Sequence, residues 1–138
     1  MKYCVAHDKV YVFGGHDQSS LSNNFFSIKV NLQQKIFSIR KIKPYVKENP
    51  MARTCHGMVS VGEKFIVVAG GICEEKHLLD INVYDIEQNY WFNVNPMNGP
   101  LENITDFSLI SFKNSLYICG GAKNGKEINR TLKFLTFG

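Results

Sequence analysis

Lys64-Phe65-Ile66-Val67-Val68-Ala69-Gly70-Gly71 is an apolar run closed by a glycine pair, and the chain repeats this phrase. Lys9-Val10-Tyr11-Val12-Phe13-Gly14-Gly15 lies before it, and Ser115-Leu116-Tyr117-Ile118-Cys119-Gly120-Gly121 after it. The first glycines of successive pairs are 70 − 14 = 56 and 120 − 70 = 50 residues apart. A short run of β-branched and aromatic residues that ends in a turn signal reads as a strand. Strand-rich units repeating at about 50 residues read as propeller blades.

The surroundings repeat as well. Val5-Ala6-His7-Asp8-Lys9, Val59-Ser60-Val61-Gly62-Glu63-Lys64 and Leu109-Ile110-Ser111-Phe112-Lys113-Asn114 each read as a strand running into a tight polar turn. A polar loop follows each glycine pair, then a third strand. Asp80-Ile81-Asn82-Val83-Tyr84-Asp85 alternates apolar with polar, as a half-buried strand does. A fourth strand follows Glu87-Gln88-Asn89 and carries Trp91. Phe26–Val30 and Ile36–Arg40 take these parts in the first unit. Tyr84 and Trp91 are 91 − 84 = 7 positions apart, as Val30 and Phe37 are (37 − 30 = 7), so Val30 and Phe37 are expected in their places. No segment sustains a helical period. The expected map is four strands in residues 3–42, four in 55–95 and three in 106–137. Lys43–Thr54 and Pro96–Thr105 serve as connectors between units.

Pro50-x-x-Arg53-x-x-His56, Gly70-Gly71, Leu79-x-x-Val83-Tyr84-Asp85 and Trp91, in that order, resemble the kelch repeat. The first unit has Val30 and Phe37 where the family prefers Tyr and Trp, and the third lacks the Arg/His pair. The resemblance implies an all-β fold of kelch-type propeller blades. Two are four-stranded (residues 1–48 and 49–97) and a third is incomplete (98–138). It also implies a structural signature of Gly14, Gly15, Arg53, His56, Gly70, Gly71, Tyr84, Asp85, Trp91, Gly120 and Gly121, with Tyr84 and Trp91 burying their rings between blades. Propellers use about four to eight blades. The chain is therefore expected to be a fragment of a longer protein, with assembly of copies the alternative.

The 138 residues are 44% hydrophobic and 20% charged, enough for a compact core and unlike a disordered chain. The net charge of +4 is scattered, which argues against a nucleic-acid partner. The exception is Arg40, Lys41, Lys43 and Lys47, a cluster suited to a solvated strand end or an anionic partner. No apolar run approaches the ~18 residues of a membrane span. Met1–Asp8 lacks the apolar stretch of a signal peptide. Cys4, Cys55, Cys73 and Cys119 show no paired spacing and are expected to be unbridged, as in the cytoplasm.

Several catalytic readings fail on chemistry. Gly120–Lys126 fits the start of a phosphate-binding loop, but Glu127 stands where Ser or Thr must hold magnesium, and a strand rather than a helix is expected next. Cys55, His56, Cys73 and His77 invite zinc, but neighbours on a strand point to opposite faces. His16-Asp17 could exchange a proton, yet no nucleophile is identifiable beside them. The expectation is no enzyme activity, no cofactor and no metal.

The resemblance implies protein binding through the loops that follow second strands and those that join blades: His16–Asn24, Lys43–Thr54, Cys73–Leu79, Pro96–Thr105 and Ala122–Asn129. The candidate contact residues are His16, Asp17, Tyr45, Arg53, Glu74, His77, Leu101 and Lys123. Tyr45 and Leu101 are expected as exposed anchors and Arg53 at the rim. Alternatives are the substrate-recognition part of a ubiquitin-ligase adaptor, through similarity to BTB–kelch repeats, and a regulatory module of a larger enzyme such as a phosphatase. Uncovered blade faces also imply self-association.

Overall fold

The computed structural model describes residues 1–45, 48–95, 103–127 and 131–137, with residues 131–134 described by backbone alone. The first sheet is an antiparallel meander of β1 (Lys2–Ala6), β2 (Lys9–Phe13), β3 (Phe25–Asn31) and β4 (Ile36–Lys41), adjacent in that order. The second begins with β5 (Gly57–Val61) and β6 (Phe65–Ala69). It is interrupted by a small hairpin, β7 (Ile72–Cys73) with β8 (Lys76–His77), and completed by β9 (Ile81–Asp85) and β10 (Tyr90–Val94). The third unit opens with β11 (Ile104–Thr105), β12 (Ser108–Phe112) and β13 (Ser115–Cys119). The hairpin β14 (Ala122–Lys123) and β15 (Lys126–Glu127) follows, then β16 (Thr131–Thr136). Its main sheet is β12-β13-β16, three strands, while β11-β14-β15 forms a small sheet of its own. Among the described residues there is no helix, and the three sheets do not close a ring.

The inner turns follow from their residues. His7 and Asp8 both take positive φ (49° and 58°), as do Lys113 and Asn114 (45° and 58°). This is the two-residue turn whose twist suits a hairpin, and Asp and Asn tolerate it best.

The sheets stack face to face with their first strands side by side. Ser60 Oγ on β5 donates to the Val5 carbonyl on β1 (2.8 Å), and Ser111 Oγ on β12 donates to the Ser60 carbonyl (2.8 Å). Val5, Ser60 and Ser111 occupy the same place in each unit, opposite Val10, Ile66 and Leu116. Strand alternation then splits the second sheet between two cores. Met58, Ile66, Val68, Tyr84 and Trp91 pack on Cys4, Ala6, Tyr11, Phe13 and Phe25 of the first sheet. Val61, Val67, Ala69, Ile81 and Val83 pack on Phe107, Leu109, Leu116, Ile118 and Leu135 of the third unit.

Two expectations need correction. Val30 does pair with Phe37, as Tyr84 does with Trp91. But Val10, the counterpart of Ile66, faces Ile28, and Ile28 pairs with Ile39. Ile28 and Ile39 therefore hold the Tyr84 and Trp91 places. The β3–β4 hairpin is longer and carries Val30 and Phe37 past the end of β2. Cys55 and His56 are not neighbours on a strand: both precede β5, and Cys55 has φ +56°. The same kink recurs at Asp106 (φ +57°), whose N–H donates to the Cys55 carbonyl. Thr54 and Thr105 pair with Ile72 and Ala122 after the glycine pairs. Ile104 and Phe107 thus stand where the second unit has Arg53 and His56, and both are buried.

Candidate partner-binding face

The glycine pairs set up one end of the molecule. Gly14 N–H donates to the Asn24 carbonyl (3.2 Å) and Gly70 N–H to the Asp80 carbonyl (3.0 Å), so each loop leaves and returns at the same point. Gly71 has φ +94°, and a Cβ there would stand 2.5 Å from the Thr54 carbonyl oxygen. No other residue accepts both conditions.

Arg53 ties this end together from below. Its Nη1 donates to the Gly70 carbonyl (3.0 Å) and to Asp80 Oδ1 (2.7 Å), its Nη2 to Asp80 Oδ2 (2.8 Å) and its Nε to the Met51 carbonyl (3.0 Å). Burial pushes the Asp80 carboxyl up, but the hydrogen bonds and charge of Arg53, helped by Asn82, outweigh it and hold the group below its ordinary value. Arg53 is fully buried, which removes it from the exposed rim where the sequence reading also placed it. His56 Nε2 lies 3.1 Å from the Phe13 carbonyl. Only an N–H can satisfy that oxygen, so Nδ1 is bare, and it is buried without a partner. Burial, then the Arg53 charge, pushes the His56 pKa down to about 3.

Above this base lie the loops. A cleft of about 510 Å³ opens between the first and second units, lined by His16, Ser19, Ser20, Leu21, Ala52, Thr54, Cys73 and Glu74. It brings together two residues singled out in sequence, His16 and Glu74. Asp17 is occupied elsewhere: its Oδ1 accepts from Ser19 N (2.7 Å), Ser19 Oγ (2.9 Å) and Ser20 N (2.8 Å), which also lower its pKa. His77 is exposed on β8, beyond the Glu74-Glu75 turn, and Lys123 lies on β14, the counterpart of β7. Tyr45 is exposed but sits elsewhere. Its N–H donates to the Asn89 carbonyl in the β9–β10 turn, at the opposite end of the second sheet. Leu101 lies outside the described residues.

Sequence reasoning did not single out Leu21, Ala52, Cys73 or Thr54 as cleft residues. Leu21 carried the one available signal, an apolar side chain in a polar loop, and it pairs with His16 across that loop. Gly120–Lys126 forms the β14–β15 hairpin, turning at Asn124-Gly125, both with positive φ. Among the described residues no three His, Cys, Asp or Glu side chains converge as metal ligands, and all four cysteines are free thiols. No helix among them is long and apolar enough to cross a membrane.

Residues 1–134 match the family described as the KLHDC2/KLHL20/DRC7 Kelch-repeats domain. Over 76 residues, 55% of this chain, the sequence is 33% identical to Kelch-like protein 6 of Homo sapiens, and the match spans 12% of that protein's length.

Proposed function

Since the chain belongs to the kelch-repeat family, we propose that it is a non-catalytic protein-binding module that meets its partner through the loops beyond the glycine pairs. Kelch-repeat domains typically serve protein interaction and are typically not enzymes. One observation carries the choice of face. The 510 Å³ cleft is framed by loops from two successive units, with His16, Leu21 and Glu74 presenting cationic-capable, apolar and anionic chemistry side by side. Mixed chemistry in a concave setting suits an interface. His77 and Lys123 extend the same face, and Leu101 belongs with them in this reading. Arg53, His56 and the glycines support it from within. A cytoplasmic setting belongs to the same proposal, supported by the free thiols.

The test is affinity capture with quantitative mass spectrometry, using the parent chain, a face variant (Leu21→Asp with Glu74→Lys) and an outer-edge variant (Lys35→Glu). The expected result is a set of proteins retained by the parent and by Lys35→Glu but lost from the face variant at equal folded protein. Retention by all three would remove the loop face from the function.

A further inference from the structure

The basic cluster at Arg40, Lys41 and Lys43 is exposed at the end of β4, and its fourth member, Lys47, lies outside the described residues. Arg40 and Lys43 line a second cleft, of about 490 Å³, between the outer part of the first sheet and the β9–β10 turn of the second. Lys9 joins Arg40 and Lys43 there, with Tyr11, Tyr45 and Tyr84 among the walls. Lys41 pairs with Phe26, so it borders the cleft with its side chain on the other face of the sheet. Strand register explains the gathering. Tyr11, Ser27 and Arg40 are successive cross-strand partners, so their side chains share one face of the first sheet. Lys9 lies two residues before Tyr11 on that face. Lys43 is brought over by its own carbonyl, which accepts from Asn89 Nδ2 (3.0 Å).

Three observations mark this cleft as built for an anion. First, no acidic side chain lines it among the described residues. Asp85 next to Tyr84 is nearly buried, and its Oδ1 accepts from Glu87 N (3.0 Å) and Gln88 N (2.9 Å). Glu48 lines an adjoining groove, which shares Lys41, Ile42, Lys43 and Tyr45 with this cleft. Second, none of the three cationic side chains has an ion pair or a hydrogen bond among the described residues, where the two ion pairs are His7–Glu63 and Arg53–Asp80. Third, the Tyr11 hydroxyl has no hydrogen-bond partner among the described residues and is not a buried orphan, so it is open to the cleft that Tyr11 lines. Tyr84, by contrast, donates to Asn89 Oδ1 (2.5 Å).

We propose that this cleft binds a phosphate monoester. Such a group carries roughly −1.5 to −2 charge at neutral pH and three strong acceptor oxygens. Arg40 matches two of those oxygens with its planar fork, lysines neutralise as point charges, and the Tyr11 hydroxyl supplies a neutral donor. A carboxylate offers one charge to three cations. A nucleic-acid strand needs a track along which its backbone runs, whereas these cations converge on one concavity. The ester can come from a phosphorylated side chain or from a free small molecule. This site is separate from the loop face and stands or falls without it.

The test is calorimetric titration of the 138-residue chain with phenyl phosphate and with a short phosphoserine peptide, against benzoate and the unphosphorylated peptide. Saturable binding of at least one phosphate probe is expected, absent for both controls and weakening as salt shortens the screening length. Arg40→Gln with Lys43→Gln should weaken it by about tenfold or more. Tyr11→Phe should weaken it several-fold, and Lys35→Gln with Lys113→Gln, a charge-matched pair outside the cleft, should leave it unchanged. Binding of both probes assigns a phosphorylated side chain, and binding of phenyl phosphate alone a small molecule. Failure of both to saturate, or equal affinity in the Arg40/Lys43 variant, overturns the proposal.

Discussion

The Asp80 carboxylate grips Arg53 with both oxygens, at 2.7 and 2.8 Å, while Arg53 reaches past it to the Gly70 carbonyl. Arg53 is fully buried and the Asp80 side chain is 37% exposed. Removing Asp80 strands a guanidinium without a counter-charge, a change that costs ~3–5 kcal/mol in a buried pair. The partial exposure of Asp80 places the expected loss for Asp80→Ala near the lower end. Arg53→Met removes charge and fork together in a similar volume and should cost less than Asp80→Ala. Urea unfolding of the two variants checks the order, and the reverse order would show that the fork, not the stranded charge, sets the cost.

His56 makes stability depend on acidity. Its ordinary value of 6.5 falls to about 3 in the folded chain, so the folded state stays unprotonated where the unfolded state takes a proton. The contribution is full above pH 6.5 and is lost as pH falls from there toward 3, at no more than ~1.4 kcal/mol per pH unit. Asp80, whose value is lowered, adds a loss only at more acid pH, below its unfolded value of 3.8. His56→Phe places in the second unit the residue that the third has at Phe107. Unfolding midpoints at pH 7.5 and 5 should differ clearly in the parent and much less in this variant.

The strands and their turns were legible because alternation and glycine pairs are local signals. Registers between strands were not. Val30 and Phe37 match Tyr84 and Trp91 when counted from the turn, but hydrogen bonding to β2 counts from the other end and selects Ile28 and Ile39. Ile104 and Phe107 were invisible as counterparts of Arg53 and His56 because they fill the same space with apolar chemistry. Arg53 looked like a surface charge, since only the fold brings Asp80 and the Gly70 carbonyl to it. Tyr45 was misplaced for the same reason: the path of its connector is set by Asn89, which is distant in sequence. The cleft at His16 and Glu74 joins loops of two units, so neither loop alone announces it.

Trp91 is the hinge of the first core. Its ring centroid lies 5.1 Å from Phe25, 5.2 Å from Tyr84 and 5.9 Å from Phe13, and its Nε1 donates to Asn49 Oδ1 (3.2 Å). Trp91→Ala should cost ~3–5 kcal/mol through lost contacts and the cavity left behind. Trp91→Phe keeps most of the packing and loses the link to Asn49, so it should cost clearly less. Thermal melts followed by circular dichroism check both. A near-parental melt for Trp91→Ala would mean that the two sheets are held chiefly by their inner strands.

The uncovered faces predict how the 138-residue chain behaves in solution. On the first sheet, exposed Tyr3, Val5 and Ile39 share a face with half-buried Val10 and Val12. The same positions of the second sheet, Met58, Ile66, Val68 and Trp91 among them, are buried against a neighbour. On the third sheet, exposed Ile110 and Phe112 mark the opposite face, which in the second sheet holds Val61 and Val67 in a core. The two open faces thus correspond to the two partners already joined inside the molecule. β16 also forms an edge with unpaired backbone groups among the described residues, a template for further pairing. A head-to-tail contact of this kind has no reason to stop at two copies. Light scattering should therefore show the isolated chain growing in mass with concentration. Val5→Lys with Ile39→Lys places charge on the first face at two exposed sites, so it should suppress growth without lowering the melting temperature. A parent chain that stays monomeric at all concentrations would show that these faces are not apolar enough to associate.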